Sequence, residues 1–158
     1  MPTLDHYRQL HQYEAWASGR VLDALATARS YEPALLRARG IFAHIQKARA
    51  LWLWRLGAGE KPAWELFPDW ALDRCRAETG VMDQAWSRFL DSLAGDGLER
   101  RVNYSGLDGK GYTSLVHEIL SHVYNHSTYH RGQIAMLIVQ AGGQAPSTDM
   151  VVFTRQSA

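Results

Sequence analysis

The stretch His117 to Gln140, HEILSHVYNHSTYHRGQIAMLIVQ, decides the fold. It holds no proline, and its one glycine, Gly132, lies well inside it. Read at about 100° per residue, one stripe runs Leu115, Ile119, His122, His126, Tyr129 or His130, Gln133, Leu137, Ala141. Its ends are apolar, as on a core-facing helix; its middle is imidazole and amide. Buried polar nitrogens need partners, and one metal ion satisfies several at once. His126 and His130 stand four apart, about one turn along one side of a helix, and so do His122 and His126. Spacing alone does not choose between these pairs. His117 falls about 140° from His122 and points elsewhere. Gly132 is read as a place where another helix approaches closely.

The 158 residues suffice for one domain with a substantial core. Hydrophobic residues make up 46% and charged ones 21%, a globular composition. Net charge is +1, with no basic cluster interleaved with aromatics, so no nucleic-acid partner is expected. No apolar run reaches membrane-spanning length, and MPTLDHYRQLHQYEAW lacks the order of a signal peptide. The one cysteine, Cys75, cannot form an internal disulfide, and a cytoplasmic location fits best. Arg74 and Arg76 flank Cys75 and would favour its thiolate, but an inert thiol is the commoner outcome.

Three more helices precede the histidine stretch. Leu4 to Ala28 carries Leu4, Tyr7, Leu10, Glu14, Ala17, Val21 and Leu25 at helical spacing, with Glu14 an oddity expected at the stripe's edge. Glu32-Pro33 opens a second helix reaching about Leu56, closed by Gly57 and Gly59. Its stripe includes His44 where an aliphatic residue belongs. A lone histidine there is more often a satisfied core residue; beside a helical pair it becomes a third ligand candidate. Leu72 to Leu93 is the third helix, and Gly95-Asp96-Gly97 stops it. Leu98 to Tyr104 and Lys110 to Thr113 flank Gly106 to Gly109 as a short β-hairpin. Ser114 is placed at the start of the fourth helix, and Gly142-Gly143 ends it. The tail contains MVVFT, a short element. Gly57 to Trp70 is a crossover whose Trp64, Phe67 and Trp70 argue for packing over the bundle, where they roof a pocket or plug a bundle end. These elements define an all-α four-helix bundle, residues 1–158, with one long crossover.

Three blocks carry a resemblance: YEAWASGRVLDAL (Tyr13 to Leu25), HIQKARALWLWRL (His44 to Leu56) and above all HVYNHSTYHRGQI (His122 to Ile134). Together they resemble the DinB-like (YfiT-like) family of metalloenzymes, named for induction by DNA damage. The resemblance implies an up-up-down-down bundle, a homodimer, and a divalent ion, zinc or nickel, on three histidines. These map onto His44, His126 and His130, which selects the His126/His130 pair. It also implies transfer of a low-molecular-weight thiol, of bacillithiol or mycothiol type, to an electrophile in a stress response.

Chemistry permits two reactions at such a site. Three neutral imidazoles leave an ion its full charge and open positions. It could activate water, as in a hydrolase, or a thiol. A hydrolase needs a carboxylate base; none adjoins the ligands in sequence, though Glu14 or Glu118 could approach in space. Thiol transfer to a small-molecule substrate is therefore favoured. A non-enzymatic, metal-stabilised bundle is the third reading. Gln133 and His122 are the candidates for supporting the ligands; Arg131 lies off their face, where it binds a substrate carboxylate or, the favoured reading, caps a surface. The six tryptophans exceed what this core needs, which also points to a homodimer.

Overall fold

The computed structural model describes residues 2–28 and 31–156. Its elements are α1 (Leu4–Thr27), α2 (Glu32–Arg55), α3 (Leu72–Ser92), a hairpin of β1 (Arg101–Ser105) and β2 (Gly111–Leu115), α4 (Val116–Gln140) and α5 (Met150–Thr154). The four-helix bundle and its hairpin are as expected. Thr3 caps α1, its hydroxyl accepting from the His6 amide, and Pro33 sits in the first turn of α2, where its missing N–H costs nothing.

The order of helix directions differs from the up-up-down-down expectation. Arg76 pairs with Asp23, and Arg8 with Asp91, so α3 runs against α1. The Tyr7 hydroxyl donates to the His117 carbonyl while Arg131 pairs with Glu14, so α4 runs with α1. His44 meets His126 while Leu53 and Leu56 pack with Val116 and Ile119, so α2 opposes α4. The order is up-down-down-up. The reason is chain length: α1 and α2 are 24 residues each, about 36 Å, and the few residues from Thr27 to Glu32 cannot run back that far. The crossover between α2 and α3 can. α1 and α2 each pack on α3 and α4.

Two apolar clusters fill the bundle. One gathers Val21, Leu25, Phe42, Ile45, Trp70, Ile134 and Ile138; the other Tyr7, Leu53, Trp86, Leu90, Ile119 and Val123. Between them lies a polar layer: Glu14 and Ser18 from α1, Gln46 and Arg49 from α2, Asp83 from α3, Ser127 and Arg131 from α4. Arg131 bonds Glu14 and the Thr128 hydroxyl; Arg49 bonds Gln46 at 2.9 Å and Asp83 at 2.7 Å. Glu14 and Arg131 are 0% and 1% exposed. Two readings are therefore corrected. Glu14 lies in the core, not at an edge, and Arg131 caps no surface. Each makes the other's burial tolerable, since an unpaired charge there would be strongly destabilising.

The core-facing line of α4 is Val116, Ile119, Leu120, Val123, Ser127, Arg131, Ile134 and Ile138, offset from the expected stripe. The histidines occupy its flank. Ser114 belongs to β2, paired with Val102, and α4 begins two residues later. The Glu118 carboxylate accepts the Leu115 amide at 2.8 Å. Gly132 is exposed, and a Cβ there would meet nothing within 4 Å. It is not a close approach within the chain. The Cys75 thiol is buried, and burial pushes its pKa to about 11, so it is inert at neutral pH. The tail folds onto α1: Phe153 packs on Tyr13 and Trp16, and the Tyr13 hydroxyl donates to the Thr148 carbonyl at 2.6 Å.

Candidate metal centre

His44 sits where α2 is covered on nearly every side, by α3, α4 and the crossover. From Ile41 to Gln46 every residue is buried, His44 included. His126 and His130 reach the same point from one flank of α4. The Nε2 of His126 lies 3.2 Å from Nε2 of His44 and 3.2 Å from Nε2 of His130. One ligand atom from each of the three lies within 4.8 Å of the others.

The far sides of two rings are anchored. Nδ1–H of His44 donates to the Leu66 carbonyl at 2.8 Å, and Nδ1–H of His130 to the Gln133 side-chain oxygen at 2.8 Å. Those bonds set the tautomer, turning both Nε2 lone pairs toward His126. Burial, then the neighbouring imidazoles of His130 and His44, pushes His126 down to about 4. Burial likewise lowers His44, partly offset by its bond to Leu66. A proton on His126 Nε2 could bond only one of the two lone pairs turned toward it, whereas a cation among the rings would satisfy all three nitrogens. Nitrogens about 2.0–2.1 Å from a tetrahedral ion would stand about 3.4 Å apart, so this spacing suits one.

The crossover roofs the group, as the aromatic residues indicated. The His44 ring lies 5.1 Å from Phe67 and 6.1 Å from Trp64, while Trp70 is buried in the core. A cavity opens on each side of it. One, of about 480 Å³, is lined by Gly40, Phe67, Asp69, Tyr129, His130 and Gln133 among others. The other, of about 380 Å³, is lined by His44, Trp52, Arg55, Trp64, Tyr104, His122 and His126 among others.

Other candidates divide. Gln133 bonds a triad histidine. His122 lies tilted beside His126 and edge-on to Trp52, with ring centroids 5.6 and 5.3 Å away, but no hydrogen bond joins it to the triad among the described residues. His117 faces Glu99, away from the group. Neither proposed carboxylate base is free: Glu14 is held by Arg131, and Glu118 caps α4. Sequence reasoning missed Asp69, Arg55 and the Leu66 carbonyl. Asp69 and Arg55 lie in or beside the segments that build the roof, but nothing in their spacing marks them. A backbone acceptor leaves no trace in residue type.

These features define a four-helix bundle with a three-histidine group able to hold a metal ion. The DinB family model matches residues 1–157, and the chain belongs to that family. A crystal structure of a DinB-like protein from Bacillus cereus ATCC 10987 superposes with a TM-score of 0.72 at 21% identity, covering 90% of this chain and 95% of that one. That likeness establishes the fold. No curated protein matches the chain. Among the described residues, no helix is long and apolar enough to cross a membrane.

Proposed function

We propose that the protein is a divalent-metal-dependent enzyme that transfers a low-molecular-weight thiol, of bacillithiol or mycothiol type, to an electrophile. His44, His126 and His130 are the ligands, through Nε2, and zinc or nickel is the ion. The observation that carries this reading is the triad itself: three ring nitrogens converging beneath the crossover, with a cavity on either side. Two reactants need two approaches to one centre, and both cavities share lining with the triad.

A bound ion would supply Lewis acidity, keeping a thiol as thiolate at neutral pH, where a free thiol of pKa about 8.5 is mostly protonated. The protein's own groups do the rest. Leu66 and Gln133 hold the ligand rings in orientation. Trp64 and Phe67 limit water over the site. The cavity walls align the reactants, which lowers the entropic part of the barrier. Sulfur bonds to the electrophilic carbon, the leaving group departs with its electron pair, and the thiol proton passes to solvent.

One observation favours a hydrolase as the second reading: Asp69 lines the cavity beside His130 and offers the carboxylate that water activation needs. In a third, the ion serves stability alone. The test is conjugation of a haloaromatic electrophile with bacillithiol, mycothiol and glutathione, comparing metal-loaded wild type with His126→Ala. A rate with one of the first two thiols, lost in the variant, is expected. Equal rates, or none above the uncatalysed reaction, would remove the transferase reading.

We also propose a homodimer through the outer face of α4. Tyr129, Gly132, Met136 and Val139 share that face, and Met136 is 75% exposed. A second copy would cover these apolar groups, and Gly132 would let its helix approach closely. The composition supports a cytoplasmic protein.

A further inference from the structure

The cavity on the His44 and His126 side has a composition of its own. Its walls are rings: Trp52, Trp64, Tyr104 and Tyr112 line it with the histidines. Its volume, about 380 Å³, is at the small end for ligand sites. Among its lining residues Arg55 is the one permanent charge, and none is a carboxylate. Asp108, near it in the chain, is engaged by the Tyr112 hydroxyl at 2.7 Å and the Lys110 amide at 3.1 Å.

Arg55 is held in place. Its guanidinium packs against two rings that also touch each other, 4.5 Å from the centre of Trp52 and 4.9 Å from that of Tyr104, the two centres being 4.9 Å apart. One terminal nitrogen donates to the Ser105 carbonyl at 2.6 Å, which ties α2 to the hairpin. The other terminal nitrogen has no partner among the described residues, and Nε is buried without one. The group is thus fixed in direction and only partly used. A guanidinium with free N–H groups at the wall of an aromatic cavity fits an anion, a carboxylate above all.

We infer that this cavity binds a small flat molecule carrying a carboxylate, its ring against Trp52, Trp64 and Tyr104 and its anion on Arg55. This deepens the reading of the triad as a metal centre and rests on it for the ligand's role: the molecule bound here is the electrophilic substrate. Arg55 sets specificity and takes no part in bond making.

Calorimetric titration of the metal-free protein with naphthoate and with neutral naphthylmethanol tests it. Omitting the metal keeps the carboxylate from binding an ion instead. Wild type should bind naphthoate about tenfold or more tightly than the alcohol, as a charge-assisted bond provides. Arg55→Met should abolish the preference while still binding the alcohol, which also shows that it folds; Arg55→Lys should restore part. Equal binding of the two ligands by wild type, or an undiminished preference in Arg55→Met, would overturn the inference. Metal uptake is measured on the same wild-type samples. A carboxylate preference without metal uptake would leave the binding site standing and remove the metal centre. Metal uptake without a preference would do the reverse.

Discussion

Arg131 on α4 and Glu14 on α1 are buried against each other at the centre of the bundle, with the hydroxyl of Ser18 on the other side of the carboxylate at 3.3 Å. Removing one partner strands the other. Glu14→Gln should cost about 3–5 kcal/mol of unfolding free energy, read by denaturant titration. Replacing both, as Glu14→Leu with Arg131→Met, should cost much less than the single change.

The same pair sets an acid response. Burial alone would raise the Glu14 pKa, but the Arg131 and Arg49 charges outweigh it and hold it below the usual 4.5. A carboxylate depressed in the folded state contributes stability above its unfolded pKa and loses it as pH falls through the folded value. Below about pH 4.5, wild type should therefore lose stability more steeply than Glu14→Gln, as thermal melts across that range will show.

His44→Ala and His126→Ala should each lower bound zinc or nickel by orders of magnitude in protein purified without a tag or chelator. Much of the helical circular dichroism should persist, because the two apolar clusters do not depend on either ring. Unchanged metal content in both variants would rule out the triad.

Gln133→Leu removes the acceptor for Nδ1 of His130. Metal affinity should fall about 10–100-fold in competition with a chromogenic chelator, the usual loss when a ligand's orienting partner is removed.

Asp69→Asn separates the two reactions open to the site. Thiol conjugation should survive it. If the conjugation rate collapses while metal content holds, Asp69 serves as a base in thiol transfer itself, and the base-free mechanism proposed above is wrong.

Met136→Asp should shift the light-scattering mass from dimer to monomer at low micromolar concentration. A monomer mass for wild type would leave the α4 face without its proposed partner.

Much of this molecule could be read from residue order. Pro33, Gly57, Gly95 to Gly97 and Gly142 mark the helix ends because backbone chemistry acts locally. The three ring positions were legible in part: His44 by standing where an aliphatic residue belongs on α2 and His126 by its spacing to a second histidine, whereas the choice of His130 over His122 came only through the family pattern. Glu14 with Arg131 was not, because partners 117 positions apart share no local signal. Their pairing also explains why the core line of α4 runs through Ser127 and Arg131 and displaces the histidines to a flank. Ser114 looks like a helix cap, yet pairing with Val102 claims it for the sheet. The direction of α2 is encoded in the shortness of the link after Thr27, a constraint of length rather than of residue type.

The polar layer has one more effect, on axial slip. Helices packed through aliphatic side chains alone can slide past one another by a turn, about 5.4 Å, and exchange one leucine contact for another. Here such a slide of α4 would carry Arg131 off Glu14 and into one of the apolar clusters, at the cost of an unpaired buried charge. α2 brings a single ring to a pair carried by α4, so the same displacement would leave His44 facing neither. The buried ion pair thus works as a vernier, indexing α4 to within a fraction of a turn so that nitrogens from two helices meet at one point.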